Sequence, residues 1–242
     1  YAMVFKDKEE LVKYFDMLGL TEFSHILFVS NESRNNLIKV YPQVTNKSCV
    51  INNIVDNKCI NELALESVEL DLGCKTTFVF VGRLEEESKR ITRLINAFEK
   101  ALVERPKIKL IIVGDGKDRK LYETMVEERH LNSSIQFMGS QINPYKYMNI
   151  ADCVILTSDY EGYPVIFYEA LMLGKNIITT VSVSDEYVDI SDFATVVEKD
   201  SDAVAKAIVD FRPKREFNNK IIDIEKLNKK RLDSLYNIFN AK

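Results

Sequence analysis

The fold is indicated most directly by residues 152–180, which read DCVILTSDYEGYPVIFYEALMLGKNIITT. An apolar run at 152–158 leads through a short turn into a segment of helical length, VIFYEALML, and a second apolar run follows at 176–180. Strands that are apolar along their whole length and are joined by a helix are typical of a parallel sheet covered on both faces. This stretch therefore predicts one strand–helix–strand unit of such a sheet.

The same alternation continues on both sides of this unit. We predict further strands at 76–82, 108–114, 135–139 and 194–198, with helices at 91–102 and in the segment KLYETMVEERHL. The predicted fold class is therefore α/β, with a doubly wound parallel sheet. Such sheets bind their ligands at the carboxyl ends of the strands.

The first part of the chain reads as a second, incomplete set of α/β elements. We predict a helix in KEELVKYFDMLGL, a strand in HILFVS, a helix in ESRNNLIKVYP and a strand in SCVI. The predicted organisation has three parts: the end of an N-terminal α/β domain with an interdomain segment at 1–55, a ligand-binding domain at 56–211, and a basic C-terminal helix at 212–242. Since the first part is too short for a core of its own, we expect most of the N-terminal domain to be missing.

Composition excludes several classes of function. The chain has 242 residues and a formal net charge of -4, which gives no global reason to bind nucleic acid. It has no GxxxxGK[ST] phosphate loop, and GDGKDR is not a GxGxxG fingerprint. Four cysteines without a CxxC motif favour reduced thiols in the cytoplasm, and two separate histidines give no sign of a metal site. No apolar run approaches the ~20 residues that span a bilayer.

The tail is basic. Residues 212–242 hold nine Lys or Arg residues and four acidic residues, for a net charge of +5. The segment IIDIEKLNKKRLDSLYNIF is amphipathic and predicts a helix on the protein surface. Two interpretations stay open: peripheral contact with a membrane, or a solvated packing helix, which we favour.

Glycine closes three of the predicted strands, at Gly82, Gly114 and Gly139. A residue without Cβ lets a ligand approach the backbone. Arg83 follows the first of these glycines, and Lys89 lies six residues later, where a helix is expected to begin. Two cations at the carboxyl edge of a sheet suit a diphosphate. The alternative is that they pair with the three glutamates between them.

Two glutamates lie eight positions apart in the strand-to-helix turn and the helix that follows, Glu161 and Glu169. Pro164 suits the first helical turn, and the N–H groups at the start of that helix form an anion site. Glu161 is then placed to accept hydrogen bonds from sugar hydroxyls, and Glu169 from a ribose diol. The alternatives are a helix-entry charge for Glu161 and a lysine partner for Glu169.

These segments together resemble a known family. The chain resembles the C-terminal, donor-binding domain of family 4 retaining glycosyltransferases with the GT-B fold. The resemblance rests on four segments in this order: VGRL with a following Lys, LIIVGDG, IQFMG and ADCVILTSDYEGYPVIFYEALMLG. FVSNESRNNL and VINNIVD resemble the end of the N-terminal domain and the interdomain segment. The resemblance covers residues 23–210, and it implies that the sheet is the Rossmann-like half of a GT-B fold.

The resemblance implies roles for the matching positions. Arg83 and Lys89 are expected to bind the donor diphosphate and to stabilise the departing nucleotide. Glu161 is expected to contact the transferred sugar, and Glu169 to hold the ribose hydroxyls. Further donor contacts are expected from Gly82, from Gly139, Ser140, Gln141 and Ile142 beside the nucleobase, and from the backbone of Gly162, Tyr163, Pro164 and Val165.

The resemblance also implies a reaction and its partners. The expected reaction is transfer, with retention, from a UDP- or GDP-linked sugar to a glycan or lipid-linked acceptor, with no bound cofactor or metal. The expected setting is bacterial synthesis of capsule, other surface polysaccharide or wall glycan, in the cytoplasm or at the inner face of the membrane. Two alternatives are a non-catalytic module that binds nucleotide sugar, and another GT-B enzyme such as an epimerase or a phosphorylase.

The chain departs from the family pattern in places. Tyr163-Pro164 stands where the family often has Phe-Gly, a variant that we expect to be tolerated. His25 and His130 match no family motif, and we interpret both as structural.

Overall fold

The computed structural model describes residues 7–73, 75–180, 193–213 and 224–240. The chain divides into two compact units, one formed by Tyr1–Val55 with Asp223–Lys242 and the other by Asp56–Ile222. The C-terminal helix is thus grouped with the N-terminal residues.

The larger unit contains a six-stranded parallel sheet. Its strands are β3 (Thr76–Val81), β4 (Ile108–Val113), β5 (Ile135–Gly139), β6 (Cys153–Leu156), β7 (Asn176–Thr179) and β8 (Ala194–Val196). Its helices are α3 (Asn57–Ala64), α4 (Glu86–Lys89), α5 (Ile91–Glu104), α6 (Arg119–Glu128), α7 (Tyr145–Ile150), α8 (Val165–Met172) and α9 (Ser201–Asp210). The predicted α/β fold with a doubly wound parallel sheet is confirmed.

The order of the strands determines where a ligand can bind. The sheet runs β5-β4-β3-β6-β7-β8, so the chain builds outward from β3 to one edge and then returns to β3's other side with β6. Because the direction of building reverses at β3, the topological switch point lies between the neighbouring strands β3 and β6. The loops that leave the carboxyl ends of these two strands diverge there. The residues after β3 and after β6 are therefore brought together, although more than seventy positions separate them in the sequence.

Both faces of this sheet are covered by apolar side chains. Along β3, Phe78 and Phe80 pack on the face covered by α5, α6 and α9, whereas Val79 points to the opposite face, where α7 and α8 contribute Met148 and Phe167. All five of these side chains are fully buried. Burial on both faces explains why the strands are continuously apolar rather than alternating.

The smaller unit is built on a two-stranded parallel sheet of β1 (Ile26–Phe28) and β2 (Ser48–Val50). Helices α1 (Lys8–Met17) and α2 (Asn31–Val40) accompany it, with 3-10 turns at Leu20–Glu22 and Pro42–Lys47. Two side chains of the C-terminal helix α10 (Ile224–Asn240) form hydrogen bonds with this unit. Asn228 exchanges hydrogen bonds with the backbone of Val55, and Arg231 donates to the carbonyl oxygen of Asn53 at 2.6 Å.

Several details differ from the sequence prediction. Helices α3, α7 and α9 were not predicted, and Pro164 is the residue just before α8 rather than part of its first turn. Cys153 is buried as expected, but Cys59 is exposed and Cys49 is half-buried, while Cys74 lies outside the described residues. Among the described residues, no helix is both long and apolar enough to cross a bilayer.

Candidate active site at the switch point of the sheet

The three strand-end glycines lie side by side at the carboxyl edge of the sheet. The N–H of Gly82 donates to the carbonyl oxygen of Val113 at 3.0 Å, and the N–H of Gly114 donates to that of Gly139 at 2.8 Å. At Gly114, φ is +141°, and a Cβ there would lie 1.9 Å from the carbonyl oxygen of Gly82. Only glycine fits at this position, because both the backbone conformation and the close approach exclude a side chain.

The switch point brings a cation and a carboxylate together. Lys89, the last residue of α4, places its Nζ 2.5 Å from Oε1 of Glu161 in the loop after β6. The two side chains are only 17% and 14% exposed. Ser158 donates a second hydrogen bond to the same oxygen of Glu161, at 2.6 Å. Glu161, for which a helix-entry charge was the alternative interpretation, thus has a specific cationic partner.

Asp159 fixes the loop that carries Lys89 against the loop that carries Glu161. Its carboxylate accepts hydrogen bonds from Nε of Arg90 and, at 2.7 Å, from Arg93. Burial raises the pKa of Asp159, but hydrogen bonds from the two arginines outweigh burial and hold this pKa below its ordinary value. Arg90 has a positive φ of 52°, which is unusual for a residue other than glycine. The carboxylate of Asp159 therefore holds in place the bend between α4 and α5.

The backbone of the same two loops is also joined. The N–H of Asp159 donates to the carbonyl oxygen of Ser88 at 3.1 Å. The hydroxyl of Thr157 lies 3.1 Å from the carbonyl oxygens of both Lys89 and Arg90. Lys89 is thus positioned by contacts on both sides of it, which limits how far its side chain can move from Glu161.

Arg83 is placed differently from Lys89. Its side chain is 74% exposed and pairs with Glu85 at 3.3 Å. The sequence left open that Arg83 and Lys89 pair with the glutamates between them. Arg83 does so, whereas Lys89 pairs with Glu161. Its expected contact with a donor diphosphate stays a prediction.

Glu169 has a phenol as its partner. The carboxylate oxygen Oε1 accepts a hydrogen bond from the hydroxyl of Tyr145 at 3.0 Å. Burial raises the pKa of Glu169, and the bond from Tyr145 acts in the opposite direction without cancelling that effect. The expected alternative, a lysine partner, is not what the structure shows. A half-buried carboxylate that keeps unused acceptor positions is suited to hold hydroxyl groups of a ligand.

The start of α8 lies between these two glutamates. Val165 and Ile166 occupy the first two helical positions, whose N–H groups have no acceptor within the helix. Pro164 precedes them and contributes no donor. Gly162 is half-buried, and Tyr163 is buried with its ring stacked on that of Tyr168. This end of α8 carries the partial positive charge that favours an anion.

The segment after β5 forms the remaining part of the site. Gly139 is buried and has a positive φ of 69°, and Ser140 is exposed. Gln141 donates to the carbonyl oxygen of Met138 at 2.7 Å, while the side chain of Ile142 is fully exposed. An exposed apolar side chain close to a glycine with positive φ is compatible with the predicted nucleobase position.

A cavity of about 1020 Å³ lies elsewhere, between β7, β8 and α9. None of Gly82, Lys89, Glu161 and Glu169 is among its lining residues. Its lining includes Thr180 and Phe193, the described residues on either side of the range 181–192, which is outside the described ranges. We place the candidate site at the switch point instead, because that is where charged side chains and free helix N–H groups converge.

Three contributors to the site were not predicted from the sequence: Tyr145, Ser158 and Asp159. Tyr145 belongs to a helix that was not predicted. The spacing of Arg90 and Arg93 could have indicated a shared acidic partner such as Asp159, because residues three apart lie on one side of a helix. Within the residues that the structure describes, no group of three or more His, Cys, Asp and Glu side chains is arranged to hold a metal ion.

Strand order and site place the larger unit among the doubly wound α/β domains that bind ligands at a topological switch point. The chain belongs to the family described as glycosyl transferases group 1, whose model matches residues 69–237. The GT-B assignment made from sequence motifs is confirmed.

Known proteins similar to this chain include two curated relatives and a solved structure. This chain is 28% identical to an uncharacterized glycosyltransferase of Methanocaldococcus jannaschii over 164 residues, which cover 66% of this chain and 40% of the relative. It is 28% identical over 163 residues to the N-acetylgalactosamine-N,N'-diacetylbacillosaminyl-diphospho-undecaprenol 4-alpha-N-acetylgalactosaminyltransferase of Campylobacter jejuni, covering 66% of this chain and 42% of that protein. The chain thus spans about four-tenths of the length of these relatives.

The solved structure is that of Anabaena HepE in complex with UDP and glucose. The TM-score is 0.69 with 19% sequence identity, and the match covers 88% of this chain and 63% of that one. At this level of identity the likeness supports the fold.

Proposed function

We propose that the larger unit binds a nucleotide-sugar donor at the switch point, and that the protein transfers the sugar to an acceptor with retention of configuration. The observation that carries this proposal is the Lys89–Glu161 pair, with Glu169 as the fifth residue of α8, the helix that follows the loop of Glu161. Family membership supports a transferase. The UDP- or GDP-linked donor, the absence of a cofactor and the assignment of individual residues are parts of the proposal.

In this proposal, the diphosphate lies against Lys89 and the N–H groups at the start of α8. As the bond between sugar and phosphate breaks, negative charge develops on the departing diphosphate. A fixed ammonium and the positive end of a helix stabilise that charge without rearranging, which is how preorganised sites lower a barrier. Arg83, whose side chain is exposed, adds a second cation when it turns from Glu85 to the phosphate.

The two glutamates bind opposite ends of the donor. Glu161 accepts hydrogen bonds from hydroxyls of the transferred sugar, and Glu169 accepts from the ribose hydroxyls. The donor is thereby held at both ends, so that the bond to be broken has a fixed position. The nucleobase lies along Gly139–Ile142, against backbone and the exposed side chain of Ile142.

The acceptor is proposed to be a glycan or a lipid-linked glycan of a bacterial surface polysaccharide. The name of the Campylobacter relative describes transfer of N-acetylgalactosamine to a sugar linked to diphospho-undecaprenol, and that name supports an acceptor of this kind. We propose that the acceptor site lies largely in an N-terminal domain beyond this chain, and that the protein works in the cytoplasm at the inner face of the membrane.

The test is a calorimetric titration with UDP, GDP, CDP and ADP. One diphosphate is expected to bind saturably, and the substitution Lys89→Met is expected to weaken it by roughly ten-fold or more, since hydrogen bonds to charged groups contribute about 1.5–3 kcal/mol. The matched control is Lys100→Met, which removes a lysine paired with Asp202 at an exposed position on α5.

Two results would reject the proposal. One is the lack of saturable binding both by this chain and by a longer form of the protein. The other is equal weakening by Lys89→Met and Lys100→Met, which would mean that loss of general positive charge, rather than a site at Lys89, explains the effect.

A further inference from the structure

Tyr145 is the side chain that contacts Glu169, and it comes from a different connection of the sheet. It is the first residue of α7, which follows β5, whereas Glu169 lies inside α8, which follows β6. The hydroxyl of Tyr145 donates to Oε1 of Glu169 at 3.0 Å. This bond therefore connects the part of the site proposed for the nucleobase with the part proposed for the ribose.

The position of Tyr145 is fixed by its neighbours. The side chain of Asn143 is buried; its Oδ1 accepts from the N–H of Tyr145 at 3.0 Å, and its Nδ2 donates to the carbonyl oxygen of Leu63 at 2.8 Å. At the other end of α7, Nδ2 of Asn149 donates to the carbonyl oxygen of Ala64 at 2.9 Å. Both ends of α7 are thus tied to the end of α3, and the phenol is held in one place.

The bond has a consequence for the carboxylate. Burial raises the pKa of Tyr145, so the phenol stays protonated and acts as a donor. An ionised carboxylate offers about four lone-pair positions, of which Tyr145 uses one. The remaining positions are enough for two adjacent hydroxyl groups. Because the phenol holds one oxygen, it restricts rotation of the carboxylate about its Cγ–Cδ bond.

We propose that Tyr145 is a positioning residue of the ribose site, which orients Glu169 so that this carboxylate distinguishes ribose from 2′-deoxyribose. The inference rests on the proposed function, since it takes Glu169 as the group that binds the ribose. A carboxylate turned correctly accepts from both hydroxyls of the diol, and a deoxyribose leaves one of its acceptor positions without a partner. A carboxylate free to turn loses much of that distinction.

The test compares affinities for UDP and 2′-deoxy-UDP, or for the guanosine pair when GDP is the tighter ligand. The variants are Tyr145→Phe, Glu169→Gln and the matched control Tyr147→Phe, which removes a phenol from the same helix. We expect Tyr145→Phe to weaken binding of the ribonucleotide about five- to ten-fold, as for the loss of one hydrogen bond, and to change binding of the deoxynucleotide little. Tyr147→Phe should change neither affinity.

The outcomes separate two kinds of failure. If Tyr145→Phe weakens both nucleotides equally, Tyr145 has only a structural role and the inference is wrong. The inference is also wrong if Glu169→Gln abolishes the preference for ribose while Tyr145→Phe preserves it. If Glu169→Gln itself leaves the preference unchanged, the assignment of Glu169 in the proposed function fails, and the role of Tyr145 fails with it.

Discussion

The substitution Asp159→Asn tests whether the two loops of the site are joined by charge. It keeps the shape of the side chain but replaces a carboxylate that accepts from Arg90 and Arg93. Hydrogen bonds to charged groups contribute about 1.5–3 kcal/mol each, and partial exposure (22% for Asp159) reduces this by screening. We therefore expect a loss of about 2 kcal/mol in the free energy of unfolding, which corresponds to a fall of about 4–8 °C in Tm.

The stabilisation by the Asp159 carboxylate depends on pH. The two arginines hold the pKa of Asp159 below that of a free aspartate, so the folded state binds this proton less readily than the unfolded state. The stabilisation is complete above the ordinary pKa of an aspartate and is lost as the pH falls through the lowered pKa of the folded state. The difference in Tm between the wild-type protein and Asp159→Asn should thus be large at neutral pH and small in acid.

The assay is thermal unfolding followed by circular dichroism from neutral pH down to about pH 2, a range that extends well below the titration of an ordinary aspartate. The control is Glu99→Gln, which removes an exposed partner of Arg129 and should cost less than about 1 kcal/mol. A difference in Tm that is the same at every pH would contradict the argument, because the loss would then be one of packing rather than charge. So would equal effects of the two substitutions.

Two further predictions concern stability. Glu169→Gln is expected to raise Tm at neutral pH, because burial raises the pKa of Glu169 and its charge lowers the stability of the folded state once the pH rises through that pKa. In acid the carboxyl group is protonated, so the gain in Tm should vanish. Thermal unfolding at neutral and at acid pH measures both effects. Gly114→Ala is expected to cost more than about 3 kcal/mol, because the new Cβ would lie 1.9 Å from the carbonyl oxygen of Gly82; urea unfolding measures the loss, and a change under 1 kcal/mol would refute the close approach.

Much of the sheet could be predicted because its strands are recognisable from the local sequence as short apolar runs. Burial on both faces makes β6 apolar throughout and β3 and β4 mostly apolar, and glycines close β3, β4 and β5. The helices that were not predicted have weaker local signals. Helix α7 is only six residues long and is held by Asn143 and Asn149 through contacts with α3, which no local pattern reveals.

The sequence pointed to Lys89, Glu161 and Glu169 as candidates, but it did not reveal their contacts. The pairing of Lys89 with Glu161 depends on β6 lying next to β3, although β4 and β5 come between them in the chain. A sequence gives the order of the strands along the chain but not their order in the sheet. For the same reason, Tyr145 was not recognised as the partner of Glu169. Glu161 and Glu169 themselves were identified because their spacing in the turn and helix is local.

An amide NMR titration of the protein with the nucleoside diphosphate that binds most tightly locates the donor site directly. We predict that the largest changes in chemical shift occur at Gly82, Lys89, Val165 and Glu169, along the carboxyl edge between β3 and β6. Changes confined to the residues of β7, β8 and α9, with none at the switch point, would contradict it.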